Sequence, residues 1–481
     1  MNSPMTSSTL SSFIRKNIVY IVSVGFERSI AFLLLPLYTH VLLPAEYGVV
    51  AVWLSFIMVA SFLYSLGIEN GLLKYSVDDD AASLNATTFW GMTTLAVVFS
   101  TLIFLFSDSL AVVLFRCLRY AFLVKLSAVI LLTDTIGRYF HYGFLGRQES
   151  RKVLLVAVLR GMLTIAANVY FLVIRGMDFE GVVLSYLSAS VVVALFLLLT
   201  AERSHRLNAF HIPILKRILS FGVPVMLTSL FLTLLHFLDR YLLQVFASSA
   251  ETGQYSVAYR IGFVMHLVVT AFSMGAVPFV SDVLKKSEKG TGVLQEMLRY
   301  LFLACLSLFC LVSLFVKDVA HVSWFGFSII HHNYWEGLDL VPLVLLAYLF
   351  YGLYVHFSLS AYHREKTRVL SLVSLTALLC NVVLNHLLIP LYGASGAAVA
   401  TLISFFVLAA LMAVLSHRIL PVRYPSRGGL VLLLLGMVLV AYSRYVLFEM
   451  FWLKTLLYVL FQVWVVLMVL KPRFSNPSHE G

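Results

Sequence analysis

The chain has 481 residues, of which 61% are hydrophobic and only 12% are charged, and its mean hydropathy is +0.94. A soluble protein of this size needs far more polar surface, and the apolar runs leave no room for a separate soluble catalytic domain. The net charge of +11 is spread over short connections that alternate with the apolar runs. This distribution argues against nucleic-acid binding.

The apolar runs predict an all-α polytopic membrane protein. A membrane-spanning helix needs about 20 apolar residues, and the sequence holds about fourteen such runs. The predicted spans lie near residues 17–42, 48–67, 89–111, 119–141, 152–174, 181–200, 220–246, 254–282, 298–316, 338–361, 369–391, 394–416, 428–448 and 452–470.

The first six predicted spans form an N-terminal lobe over residues 1–205. Arg15 and Lys16 precede the first apolar run, and no small-residue cleavage site ends that run. We therefore expect an uncleaved first span rather than a signal peptide. The basic stretch that follows the sixth span mixes charges with Ile212, Ile214 and Leu215, which predicts a short interfacial helix.

Residues 206–418 are predicted to repeat the first lobe, and residues 419–481 add two more helices. The motif PAEYGVVAVW, with Tyr47, has a counterpart in TGQYSVAYRI, with Tyr255. Asn168 and Asn381 then follow in matching apolar runs. Both pairs are separated by about 210 residues, and internal repeats of this kind are typical of secondary transporters, whose substrate site lies between the repeats.

The basic residues predict the orientation of the chain. Most of the 34 Lys and Arg residues fall in one alternating set of connections, which the positive-inside rule assigns to the cytoplasm together with both termini. The opposite set holds only Arg116, Arg119, Arg175, Lys317, Arg444 and Lys454.

Motifs for metal, nucleotide and hydrolytic chemistry are missing from the sequence. The four cysteines include no CxxC pair, and neither a P-loop nor a GxSxG or HExxH motif occurs. His331 and His332 are adjacent, but without acidic partners they fit a solvated or interfacial loop better than a metal site. We expect no metal, no cofactor and no catalytic residue, with energy coming from an ion gradient, the substrate's own gradient or a partner.

Ionisable side chains inside the predicted spans mark the candidate functional residues. Each Arg or Lys near the centre of a membrane helix costs about 2.5–3.5 kcal/mol on insertion, so we expect these groups to face a wet cavity or one another. They are Glu27, Arg28, Lys125, Asp134, Arg160, Asp239, Arg240 and Arg260.

Two of these positions repeat, since Glu27-Arg28 and Asp239-Arg240 lie at similar depths in the spans that begin each lobe. One interpretation is structural: the pairs join helices and hold the lobes together. The other is a polar cavity between the lobes, where arginines bind an anion and carboxylates bind a proton or Na⁺. Bases outnumber acids in the set, and guanidinium groups suit phosphate or carboxylate. The neighbouring His236 fits helix packing better than a proton relay.

The chain resembles bacterial polysaccharide flippases of the O-antigen type, within the multidrug/oligosaccharidyl-lipid/polysaccharide (MOP) exporter superfamily. The matching segments are PLYTHVLLPAEYGVVAVW, FGVPVMLTSLFLTLLHFLDRYLL with TGQYSVAYRIG, and NVVLNHLLIPLYGASGAAVAT. The resemblance implies two six-helix lobes plus two helices. It also implies inversion of a polyprenyl-pyrophosphate-linked oligosaccharide across the bacterial inner membrane by alternating access, usually coupled to a cation.

The resemblance supplies roles for the candidate residues. Arginines of the cavity would hold the anionic head group, and the two repeated carboxylates, Glu27 and Asp239, would respond to the coupling ion, H⁺ or Na⁺. The four arginine candidates are Arg28, Arg160, Arg240 and Arg260. Expected partners are an undecaprenyl-pyrophosphate-linked oligosaccharide, membrane lipids, and a polysaccharide polymerase with its chain-length machinery.

Three alternatives stay open at this point. A cation-coupled multidrug exporter of the same fold would be favoured by surplus carboxylate inside the membrane. A polysaccharide polymerase or membrane glycosyltransferase would need a sizeable outside loop with a catalytic cluster, and the sequence has none. The chain could also be a non-transporting partner in polysaccharide assembly.

Overall fold

The structure, a computed structural model, is almost entirely helical. It describes residues 23, 25–26, 30, 32–76, 81–200, 209–286, 291–324, 327–364, 366–422, 427–445 and 450–470. Within these residues ten helices are long and apolar enough to cross a membrane, and two shorter apolar helices follow near the end of the chain. The expected all-α polytopic membrane fold is confirmed.

The first block of helices runs to residue 200. Its elements are α1 (Leu35–Val41), α2 (Pro44–Ser65), α3 (Ile68–Tyr75), α4 (Ala81–Leu105), α5 (Ser107–Phe115), α6 (Ala121–Gly146), α7 (Ser150–Asn168) and α8 (Phe179–Thr200). A 3-10 turn (Leu118–Tyr120) precedes α6, and a π-helical segment (Val169–Ile174) extends α7. Of the first predicted span, 17–42, the structure describes residues 23, 25–26, 30 and 32–42.

The second block contains α9 (Ile212–Phe246), α10 (Ser249–Lys286), α11 (Thr291–His321), α12 (Val341–His363) and α13 (Thr367–Ile419). A two-stranded hairpin, β1 (Ser323–Trp324) with β2 (Phe327–Ser328), and a 3-10 segment (His332–Leu340) connect α11 to α12. The helix α9 includes the predicted interfacial residues Ile212, Ile214 and Leu215 in its first turn, so these residues start a long helix rather than a separate short one.

A glycine break divides α13 into two arms that match the predicted spans 369–391 and 394–416. Gly393 has φ 54°, in the left-handed region that favours glycine. The carboxylate of Glu251 occupies the space beside it and accepts a hydrogen bond from the backbone N–H of Ala394 at 3.0 Å. Glu251 therefore caps the second arm and ties this turn to the start of α10.

The last two helices, α14 (Arg427–Tyr445) and α15 (Phe451–Leu470), pack on α11. The ammonium of Lys454 in α15 donates to both oxygens of Asp318, at 3.1 and 2.9 Å, and Ser307 donates to the side-chain oxygen of Gln462 at 3.0 Å. Because Lys454 is only 3% exposed, the ion pair removes the cost of an isolated buried cation.

The two blocks touch at both ends of α2. Where α2 begins, the backbone of Gly48 packs against the backbones of Ser249 and Gly253 in α10, leaving no room for a Cβ. Where α2 ends, Gly67 packs in the same way against Gly222 of α9. Glycine permits these backbone approaches. The domain boundaries at residues 205/206 and 418/419 stay predictions.

Candidate functional site

The polar centre of the second block is the carboxylate of Asp239, in the middle of α9. Its side chain is fully buried. The hydroxyl of Tyr255 donates to Oδ2 at 2.7 Å, the hydroxyl of Thr401 donates to the same oxygen, and the amide of Asn385 donates to Oδ1 at 3.2 Å. Three neutral donors from α10 and from both arms of α13 thus surround one carboxylate.

Two further amide oxygens lie beside this carboxylate. The Oδ1 atom of Asn381 accepts from the amide of Asn385 at 2.9 Å. The Oδ1 atom of Asn385 is buried and has no hydrogen-bond partner among the described residues. A carboxylate with amide and hydroxyl oxygens around it is a donor set that suits a proton or a small hard cation. We call Asp239, Tyr255, Asn381, Asn385 and Thr401 the Asp239 cluster.

Arg240 follows Asp239 in the chain but points to different partners. Its Nη1 atom donates to the backbone oxygen of His236 at 2.7 Å. The guanidinium lies 4.4 Å from the ring centre of Tyr259 and 4.9 Å from that of Phe237. Among the described residues no ion pair joins Arg240 to Asp239. The cation is held mainly by aromatic faces and one carbonyl.

Arg260, on α10, faces the first block. Its guanidinium lies 5.5 Å from the ring centres of both Tyr38 and Tyr47, which are buried in α1 and α2. The Nη1 atom is buried and has no hydrogen-bond partner within the described parts of the chain. A cation with an unused donor therefore lies at the contact between the two blocks.

Arg160 belongs to a different environment, inside the first block. Its Nη2 atom lies 2.8 Å from both carboxylate oxygens of Asp134, which links α7 to α6. Ser190 of α8 donates its hydroxyl to Asp134 as well. The Arg160 side chain is 36% exposed, so it keeps access to its surroundings although its charge is compensated.

The remaining candidates do not join these groups. Glu27 and Arg28 lie outside the described residues, so their predicted roles stay predictions. Lys125 lies over the ring of Phe104 at 5.7 Å, near the end of its helix. His236 packs among aromatic rings, with the ring centre of Tyr348 at 5.7 Å, in agreement with a packing role. In the described ranges no group of three or more His, Cys, Asp or Glu side chains could hold a metal ion.

Sequence reasoning missed some members of the site. Asn381 and Asn385 are spaced by four residues on a helix, which places both amides on one face, and this signal was available in the sequence. Thr401 gave no such signal, because it reaches Asp239 only through the turn at Gly393. The tyrosines around Arg260 were equally hidden, since Tyr38 and Tyr47 come from the other block.

The comparisons with known proteins agree on one fold. Residues 13–284 match the model of the family described as polysaccharide biosynthesis protein. The structure is similar to lipid II flippase MurJ in an inward closed conformation, with a TM-score of 0.74 and 14% identity over 95% of this chain and 98% of that one. No curated protein sequence matches the chain significantly.

Multidrug resistance MATE family transporters of the MOP superfamily are also similar. The inward-facing conformation matches with a TM-score of 0.67 and 16% identity over 84% of this chain and 98% of that one. The outward-facing conformation matches with a TM-score of 0.58 and 16% identity over 84% and 94% of the two chains. At these identities the likeness establishes a shared fold.

Proposed function

The chain belongs to the polysaccharide biosynthesis protein family, and from this premise we propose that it is a flippase for a polyprenyl-pyrophosphate-linked oligosaccharide. The repeat unit of an O-antigen or a related polysaccharide would cross the bacterial inner membrane by alternating access, with both termini in the cytoplasm. The head group would pass between the two blocks while the prenyl tail stays in lipid. We propose no enzymatic step and no cofactor.

The observation that carries this proposal is the position of Arg260. A guanidinium whose buried Nη1 atom has no hydrogen-bond partner among the described residues lies at the contact between the blocks, beside aromatic rings. Leaving a charged donor unsatisfied in a buried site costs more than about 1–3 kcal/mol, and a phosphate oxygen would satisfy it. An anionic head group therefore fits this place better than a cationic drug.

The other arginines would serve the same head group in different ways. Arg160 is partly exposed, so it can exchange part of its contact with Asp134 for a substrate oxygen. Arg240 is 8% exposed and held by aromatic faces. It would therefore attract the anionic head group electrostatically from a distance, or contact it only after the blocks separate. Arg28 keeps its predicted place in this group.

The Asp239 cluster is the proposed site of the coupling ion. Its carboxylate is buried without a directly bonded cation in the described structure, which makes uptake of H⁺ or Na⁺ favourable. The cluster ties α9 and α10 to both arms of α13, so an ion bound there would change how these helices hold together. Glu27 is proposed for the matching position in the first block.

The test deletes the chromosomal copy of this gene in its native cell and expresses Arg260 variants of the protein in its place. We expect Arg260→Gln to lower surface polysaccharide at least about 10-fold and to leave lipid-linked oligosaccharide on the cytoplasmic side, because the anion loses its charged donor. Arg260→Lys should recover part of the activity, since it keeps the charge but not the planar fork.

Arg175→Gln is the matched control, because Arg175 is exposed at the end of α7 and its extension. Membrane levels of each variant are compared by immunoblot. Normal surface polysaccharide from Arg260→Gln at normal membrane level would contradict the proposed head-group site.

A cation-coupled multidrug exporter is the second candidate, because the fold is shared with MATE transporters. Its test is drug resistance in a strain stripped of its own exporters. Resistance conferred by the wild type but not by Asp239→Asn, together with normal polysaccharide in the deletion strain, would favour the exporter. A polymerase or glycosyltransferase is the least supported class, because the sequence predicts no sizeable outside loop with a catalytic cluster.

A further inference from the structure

Three histidine side chains from both blocks meet where α2 and α10 begin. His40 lies in the last turn of α1, and His331 and His332 lie at the start of the 3-10 segment of the second block. The imidazole centres of His40 and His331 are 5.5 Å apart, edge to face, and those of His331 and His332 are 4.1 Å apart. We call these three residues the histidine cluster.

The cluster lies beside the contact that closes this end of the interface. Tyr334, three residues after His331, is fully buried and donates its hydroxyl to the backbone oxygen of Leu42 at 2.8 Å. Its ring meets that of Tyr47 edge to face at 5.9 Å. The 3-10 segment therefore holds the end of α1 and the start of α2, and any movement of the segment loosens this contact.

Hydrogen bonds indicate where the protons of two of these imidazoles lie. The Nδ1 atom of His331 accepts from the backbone N–H of Asn333 at 3.4 Å and so caps the 3-10 segment. The Nδ1 atom of His40 lies 2.8 Å from the backbone oxygen of Pro36, which only accepts, so this nitrogen donates. A second proton on His331 would have to enter at Nδ1, and it would remove the cap.

Protonation is also opposed by the surroundings of His331. Partial burial, and then the neighbouring imidazoles of His332 and His40, lower its pKa below the ordinary value of about 6.5. When the contact opens, that pKa returns towards its ordinary value, so the open form binds the proton more tightly. The closed contact is thus fully stable above about pH 6.5 and weakens as the pH falls through that region.

Other titratable groups on the packed elements have partners of their own in the structure. They are Glu46 with the N–H of Leu43 (2.8 Å), Glu251 with the N–H of Ala394 (3.0 Å), Glu336 with the amide of Gln254 (3.0 Å), Asp339 with Lys317 (2.6 Å), Asp318 with Lys454 (2.9 Å) and His321 with the ring of Trp335 (4.0 Å). A carboxylate that turned to a protonated imidazole would have to give up one of these contacts.

We propose that the histidine cluster is a proton-binding site that releases the contact between the two blocks at this end of the molecule. Protonated imidazoles from both blocks repel one another, and His331 loses its bond to Asn333, so the segment that carries Tyr334 withdraws from α1. The distribution of basic residues predicts that this end faces the periplasm. A proton arriving from that side would then favour opening towards that side.

The test measures the distance between the blocks at different pH values, on the full chain in lipid nanodiscs without substrate. Spin labels on Leu118→Cys and Ile329→Cys report this end from exposed positions in a background with the four native cysteines replaced by alanine. We expect the longer-distance population to increase several-fold between about pH 8 and about pH 5.5. The triple variant His40→Gln/His331→Gln/His332→Gln should lose this response.

His386→Gln is the matched control, because the ring of His386 meets that of Phe246 edge to face within the second block, with ring centres 5.2 Å apart. This variant should respond like the wild type. If the triple variant does not fold, the single variant His40→Gln replaces it, and its pH response should lie between that of the wild type and no response. A pH response equal to that of the wild type in the triple variant, or in His40→Gln, would overturn the proposal.

The variant Asp239→Asn tests this inference separately from the proposed function, because the histidine cluster does not depend on the proposed function. If the histidine cluster senses the proton, Asp239→Asn keeps the pH response of the distances even where transport is lost. Loss of the response in Asp239→Asn with retention in the histidine variants would overturn the proposal and place the sensing proton at the coupling-ion site.

Discussion

Asp134 in the first block and Asp239 in the second are carboxylates within predicted membrane spans, and they differ in their partners. Asp134 of the first block bonds to the guanidinium of Arg160 through both oxygens, and its side chain is 20% exposed. Asp239 of the second block is fully buried and is bonded only by neutral hydroxyl and amide groups among the described residues.

The two carboxylates therefore differ in how readily they would bind a further cation. The Asp134 carboxylate has its counter-ion built into the neighbouring helix, so it gains little from a further cation. The Asp239 carboxylate is surrounded by donors that stabilise its charge without cancelling it, and a proton or Na⁺ would cancel it. Among the described residues, the first block therefore has an ion pair at Asp134 and the second block has a candidate ion site at Asp239.

The largest expected effect comes from Asp239→Asn, which keeps the shape of the side chain and removes its charge. Because the coupling ion loses its only charged ligand in the cluster, we expect cation-dependent transport to fall about 10-fold or more. Surface polysaccharide is measured with and without the ion gradient, and the Tm of the purified protein is compared in NaCl and KCl. A Na⁺-dependent rise in Tm in the wild type would identify Na⁺ as the ion.

Asp178→Asn is the matched control for this variant, because Asp178 is exposed in a loop. It should retain both transport and the response to ions. An Asp239→Asn protein that keeps full ion dependence would remove the distinction between the two carboxylates.

A smaller effect is expected from Asn385→Ala, which removes one donor to Asp239 and one buried amide oxygen. Losing one hydrogen bond of about 0.5–1.5 kcal/mol corresponds to roughly 2–10-fold weaker ion binding. The concentration of ion that gives half of the Tm increase measures this change. Asn168→Ala, a buried asparagine of the first block that the predicted repeat pairs with Asn381, is the control, and equal weakening in both variants would argue against the Asp239 cluster as the site.

The smallest effect on transport is expected from Asp134→Asn. Since the ion pair is partly exposed, we expect a loss of about 1 kcal/mol in the free energy of unfolding, with ion dependence retained. Thermal unfolding in detergent, together with the same transport assay, measures both quantities. The double variant Asp134→Asn/Arg160→Gln should recover part of the stability, because no charge is left without its partner.

Loss of ion dependence in Asp134→Asn would reverse the comparison. It would mean that the first block, rather than the second, holds the coupling ion, with Arg160 as a switch that releases the carboxylate.

Much of the fold could be predicted from the sequence because membrane insertion is a local property. Each run of about 20 apolar residues must form a helix to satisfy its backbone, whatever its neighbours are. The predicted ends were less accurate where polar residues open a helix, as at Ala81, which begins α4 well before the predicted residue 89. Ser83, Asn85, Thr87 and Thr88 in the first two turns lowered the local hydropathy without stopping the helix.

The candidate site was predictable only in part. Asp239 and Arg240 were identified because a charge inside an apolar run is unusual. The sequence did not predict that Asp239 meets neutral donors whereas Arg240 meets aromatic rings. Adjacent residues of a helix point about 100° apart, so the two side chains contact different helices. Arg160 was predicted to bind the anion together with Arg260, and this role stays a prediction, but its ion pair with Asp134 inside the first block gave no signal in the sequence.

The sequence by itself determined the membrane helices, the internal repeat and the small set of charges that the bilayer must accommodate. Only the tertiary structure decided which charge meets which partner: Arg160 with Asp134, Asp239 with Tyr255, and Arg260 with the tyrosines of the other block. The physical reason is that hydropathy adds up along the chain, whereas a hydrogen bond depends on the rotation and crossing of helices that are far apart in the sequence.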